Sequence, residues 1–131
     1  MKSLQLVSIK QERGSFEAKV ANPEENTSVN INTDASWEKR ESGFDGIIEV
    51  KVELVKLERI LGEISGLFRL TYNWDCEYEA YPEEFVTRFL EQNIHFNAWP
   101  YMREFVQGCF QRMGWSPVVI PLLKQRVVMV K

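Results

Sequence analysis

The sequence predicts an α+β domain: a four-stranded antiparallel sheet with one short and one longer helix packed on one face. Three observations predict it. From Leu4 to Trp74, apolar and polar residues repeatedly alternate with period two. Clusters of turn-forming residues separate these stretches at short intervals. After Pro82 the apolar spacing lengthens to that of a helix.

The first strand covers residues 4–20. Leu4 and Leu6 alternate with polar residues, and after Gly14 the apolar positions are Phe16, Ala18 and Val20, so Gly14 marks a bulge or kink. ANPEENTS, residues 21–28, is a loop by its Asn, Pro and Ser content. Val29 and Ile31 begin the second strand, and ESGFDG supplies the following turn. Residues 46–60, GIIEVKVELVKLERI, are the clearest strand. Ile48, Val50, Val52 and Leu54 share one face, with Glu49, Lys51 and Glu53 on the other. The apolar phase then moves to Val55 and Leu57, which predicts a bulge or twist. Gly62 lies near the next turn. In the fourth strand Ile64, Phe68, Leu70, Tyr72 and Trp74 face inward, while Arg69, Thr71 and Asn73 face outward. Four such strands with short connections read as an antiparallel meander or a near variant.

Pro82 with Glu83 and Glu84 is a helix start, because carboxylates suit the positive end of the helix dipole. Phe85, Phe89 and Leu90 form the stripe of this short helix. The longer helix begins around Asn97 as N-cap, with Pro100 in its first turn, and Gly114 ends it. On a helical wheel Trp99, Met102, Phe105, Val106, Cys109, Phe110 and Met113 fall together, and Tyr101 and Gly108 widen the arc. The arc spans roughly 200°, about twice what a helix needs to cover one core. Such a helix must be buried on two sides, and a second copy of the chain is the expected cover, with Gly108 allowing close approach. The expected contact residues are Tyr101, Phe105, Gly108, Cys109 and Arg112. Pro117 and Pro121 then forbid helix, so GWSPVVIPLLK is an extended apolar connector that either packs into the core or lines a groove.

The chain has 131 residues, 44% of them hydrophobic, enough for one domain over residues 1–131. A formal net charge of −3, with Lys and Arg scattered, argues against a nucleic-acid or anionic-membrane partner. Two cysteines, Cys76 and Cys109, make no disulfide framework. No apolar run reaches transmembrane length, and Gln5, Ser8 and Lys10 interrupt any signal-peptide core. The expectation is a reduced, cytoplasmic protein.

Nothing in the sequence argues for chemistry. His95 is the only histidine, and no local pattern pairs it with Cys76 or Cys109. Asp75, Cys76, Glu77 and Glu79 match no zinc or calcium spacing. Walker-type, dinucleotide and hydrolase motifs are absent. No enzyme activity, cofactor or metal is expected.

FNAWPYMREFVQGCFQRMGWSPVVIPLL resembles the SecB protein-export chaperones. Trp99, Pro100, Tyr101, Arg103 and Glu104 match the family's aromatic-Pro-Tyr-x-Arg-Glu helix start, and Arg112 and Gly114 approximate the helix end. Far away, SFEA, Ser15 to Ala18, matches the tetrapeptide that follows the family's first strand segment. The resemblance covers about residues 4–123. It implies a four-stranded antiparallel sheet backed by helices and a homo-oligomer, dimer or tetramer. It also implies a groove for unfolded or extended polypeptide, lined partly by the connector: Trp115, Val119, Ile120, Leu122 and Leu123. The family's last long helix has no counterpart, since KQRVVMVK reads instead as a strand or extended arm. The family docks a translocation motor through acidic residues on its outer sheet. Glu17 sits at one such position, but Arg13 stands where an aspartate is expected, so a role in protein transport does not follow.

The function these readings imply is an ATP-independent chaperone-like or peptide-binding protein holding apolar segments in a groove. The alternative is an adaptor dedicated to one antitoxin-like or regulatory partner, with no general holdase activity.

Overall fold

In the computed structural model, residues 4–20, 27–74 and 82–114 are described, together with the backbone of Val127–Met129. The elements run β1 (Leu4–Ala18), β2 (Ser28–Arg40), β3 (Gly43–Lys56), β4 (Arg59–Trp74), α1 (Glu83–Arg112) and β5 (Val127–Met129). The sheet order is β1-β4-β3-β2-β5, antiparallel except for β5, which runs parallel to β2. The expected four antiparallel strands are present, and the expected strand in KQRVVMVK extends the sheet. The variant of the meander is now defined. β2, β3 and β4 are consecutive hairpins, and β1 lies beside β4 rather than beside β2.

Alternation sets the two faces. Ile48, Val50, Val52 and Leu54 of β3 and Ile64, Phe68, Leu70 and Tyr72 of β4 are buried, and β2 adds Ile31, Thr33 and Ala35. The β3 phase shift coincides with a register break between Leu54 and Val55, where Leu61 of β4 is the extra residue and is buried. The turn beyond it has positive φ at both central residues, Leu57 (51°) and Glu58 (64°), as the right-handed twist of a two-residue hairpin demands. Leu57 is 87% exposed there.

β1 carries two bulges, at Val7 and Glu12. They keep its apolar residues in phase: Leu4, Leu6, Ile9, Gly14, Phe16 and Ala18 all pair with inward-facing β4 positions. The bulge expected at Gly14 thus falls two residues earlier. Gly14 instead lies directly across from Gly66, and the ring of Phe105 rests on both. A Cβ on Gly66 would come within 2.7 Å of that ring, so the absence of side chains is what admits it.

The two expected helices are one. α1 runs unbroken through Asn97 and Pro100. Every fourth residue from Val86 through Leu90, Ile94, Ala98, Met102 and Val106 to Phe110 is buried, so one packing line passes through the expected break. Asn97 is not an N-cap. Its Nδ2 donates to the Tyr72 hydroxyl at 2.9 Å, tying helix to sheet. Pro100 removes the donor to the Phe96 carbonyl, but both residues lie on the exposed side, where water can satisfy that carbonyl. Pro100→Ala is therefore expected to raise stability by up to about 3 kcal/mol. An unchanged urea midpoint would show that the ring packs favourably elsewhere.

On the helix-free face, Arg69 joins all four antiparallel strands. Its Nη1 donates to Glu38 at 3.1 Å and Asp45 at 2.8 Å, and its Nε to Glu12 at 3.1 Å. The bond to Glu38, followed by those to Glu12 and Asp45, holds the guanidinium still more firmly protonated. Arg40 closes the same end, donating to Asp45 at 2.7 Å and to the Tyr72 carbonyl at 3.0 Å.

Candidate peptide-binding groove

α1 covers β3 and β4 but stops short of the β1 edge. Along that seam runs a shallow groove lined by Ile9 and Gln11 from β1, Phe68 from β4, and Tyr101, Glu104 and Phe105 from α1. Phe68 and Phe105 meet edge to face at 6.1 Å and 75°, a favoured geometry that fixes the groove floor. Tyr101 is 51% exposed at its rim. Leu6 and Phe16 on the inward face of β1 and Val7 at its bulge are also exposed, Phe16 by 43%. Among the described residues the arrangement offers apolar side chains beside Gln11 and Glu104, and no reactive pair.

Of the residues assigned to the connector side of the groove, Trp115, Val119, Ile120, Leu122 and Leu123 lie outside the described residues. The five assigned to a contact between copies divide. Cys109 is only 1% exposed within the single chain, so its burial needs no second copy. Phe105 is half-buried on Gly14 and Gly66. Tyr101 and Arg112 are exposed, and a Cβ on Gly108 would meet only the Arg112 guanidinium, at 2.9 Å. Trp99, Met102, Val106 and Phe110 are likewise buried already. The wide arc arises because a line of every fourth residue advances about 40° per step around the helix.

His95 is buried and stacks on Trp99, with ring centroids 5.5 Å apart. Burial pushes its pKa down, favouring the neutral ring. Burial pushes the Cys109 thiol up, against a smaller opposing effect of Arg112, so the thiolate is disfavoured. Fourteen residues of helix separate the two, about 21 Å, which keeps them from forming a Cys–His pair. Asp75, Cys76, Glu77 and Glu79 lie outside the described residues. Among the described residues, no three His, Cys, Asp or Glu side chains gather as a metal site. No described helix is long and apolar enough to cross a membrane.

Two features escaped the sequence reading. One is the sheet side of the groove, Ile9 and Gln11, which only the bulges at Val7 and Glu12 bring inward. The other is the Asn97–Tyr72 tie. Its signal was available, since a tyrosine on a buried strand face needs a partner for its hydroxyl. That hydroxyl is fully buried and its pKa is pushed up to about 12, by burial first and against the Asn97 bond. On the opposite face of the sheet, Arg13 borders a second depression with Glu49 and Leu67, and Glu17 pairs in register with Glu63.

No family model and no curated protein matches the sequence. Among solved structures, the chain is similar to the SecB-like chaperone Rv1957 of Mycobacterium tuberculosis, solved with a ChAD peptide from the Rv1956 HigA1 antitoxin. The TM-score is 0.81 at 16% identity, covering 94% of this chain and 92% of that one. The chain has the SecB-like fold.

Proposed function

We propose that this protein is an ATP-independent chaperone-like, peptide-binding protein that holds extended apolar polypeptide in a groove, with no chemistry. The observation that carries the reading is the groove along the β1–α1 seam, where Ile9, Phe68, Tyr101 and Phe105 supply apolar surface beside Gln11 and Glu104, on a fold whose solved neighbour is in complex with a peptide. Burying one large client side chain contributes about 1.5–3 kcal/mol before ordering costs. The test is suppression of aggregation of several unrelated denatured proteins. Suppression of all supports the general holdase.

A second reading is favoured by the neighbour's partner, a segment of one antitoxin. In it the chain serves a single dedicated partner. Failure to suppress any aggregation, with tight binding of one co-purifying protein from the host, selects it.

Self-association belongs to both readings. The open ridge Glu104–Gly108–Arg112 supports it: an antiparallel crossing centred on Gly108 would set Glu104 of one copy opposite Arg112 of the other, twice. Gly108→Leu is expected to convert a dimer or tetramer into smaller species by light scattering. A wild-type chain that is monomeric at micromolar concentration removes the idea.

A further inference from the structure

We propose that the free edge of β2 is a second site for extended polypeptide, one that adds a strand to the sheet, and that β5 is its displaceable internal occupant. This rests on the peptide-binding reading and names a site for it distinct from the β1–α1 seam. The two long strands at or next to the sheet's ends are built differently. β1 is interrupted by two bulges, which break a continuous row of backbone donors and acceptors. β2 pairs with β3 through thirteen residues with no register break, so its other edge is a regular template. Natural edges are also blunted by proline and by charged side chains. β2, SVNINTDASWEKR, contains no proline, and its first six residues, SVNINT, carry no charge.

What covers this edge among the described residues is three residues of β5: Val127, Val128 and Met129, in register with Thr33, Asp34 and Ala35. The pairing is parallel, the less stable arrangement per residue, and so short that it gains little over the cost of ordering it. β5 therefore identifies the kind of occupant this edge accepts: an extended, β-branched apolar segment. The sequence around it carries Lys124, Arg126 and Lys131, while β2 presents Asp34 in register with Val128. A client strand with basic flanks would replace β5 and pair with a longer part of β2, by the main-chain addition that peptide-recognition sheets use.

The test locks β5 in place. Asp34→Cys with Val128→Cys, in a Cys76→Ser, Cys109→Ala background, sets two thiols on paired residues of neighbouring strands, close enough for a disulfide. The probe is fluorescein-labelled KQRVVMVK added in trans, with reduced carboxymethylated α-lactalbumin as a general client. Oxidation is expected to weaken octapeptide binding at least tenfold, and reduction to restore it. Val128→Pro, which impairs strand pairing by β5, is expected to raise affinity several-fold at unchanged stability. Binding within twofold in oxidised and reduced forms overturns the proposal, as does failure of the disulfide to form, since β5 would then not lie beside Asp34. If lactalbumin binds regardless of the lock and the octapeptide does not bind, only this site falls. If neither probe binds the wild type, the peptide-binding reading falls with it.

Discussion

Trp99→Ala is expected to lower the stability of the fold by about 3–5 kcal/mol, the range for deleting a large buried aromatic. Trp99 is 1% exposed and stacks on His95, so truncation opens a cavity beside a ring that cannot follow it. One factor pulls the other way. The indole N–H is buried with no hydrogen-bond partner among the described residues, so removing it relieves a desolvated donor and places the cost nearer the lower end. Since small domains hold about 5–15 kcal/mol in all, the variant should be partly unfolded at moderate urea. The control lies two residues away. Tyr101→Ala removes an aromatic that is half exposed, and its cost should stay below about 1 kcal/mol. Urea midpoints followed by far-UV circular dichroism separate the two. Equal losses would mean that α1 turns a different face to the sheet.

Polar replacement in the proline-punctuated connector carries the largest expected effect on activity. If Trp115, Val119, Ile120, Leu122 and Leu123 line a client groove, Trp115→Ser and Ile120→Ser should each weaken binding of an extended apolar peptide about tenfold or more, equivalent to about 1.4 kcal/mol. The urea midpoint should barely move, because a side chain kept for a client contributes little to the empty fold. If the connector is core, the ordering reverses. Apolar-to-polar change in a packed interior costs a few kcal/mol of stability, and any loss of binding would follow unfolding. Measuring midpoint and peptide affinity on the same two variants decides. A large midpoint drop returns the connector to the core and leaves the groove to the β1–α1 seam alone.

Residue patterns made the strands legible because a strand's face is a local property. Ile48, Val50, Val52 and Leu54, and then Ile64, Phe68, Leu70 and Tyr72, alternate in sequence and are buried as that alternation requires. The break at Leu54–Val55 was visible for the same reason, as a change of parity. So was the start of α1, where Pro82 precedes a first turn carrying Glu83 and Glu84, whose carboxylates suit the positive end of the helix dipole. The SecB-like fold followed from these and from two short motifs.

Tertiary structure alone decided the rest. Asn97 and Pro100 carry the local signs of a helix boundary, and an isolated peptide would tend to break there. The helix continues because a line of buried residues from Val86 to Phe110 and the Asn97–Tyr72 bond hold both halves on one sheet, outweighing the proline penalty. The same winding line accounts for part of the wide apolar arc, while Tyr101 and Gly108, which widen it, are not buried within the single chain. Which strand neighbours which is non-local too. β1 could have paired with β2 on alternation alone, but it lies beside β4, where Phe105 rests on the facing glycines Gly14 and Gly66. Periodicity fixes which face of an element is apolar. Only the packed whole fixes what that face meets, because the energies that choose a partner come from contacts between residues far apart in the chain.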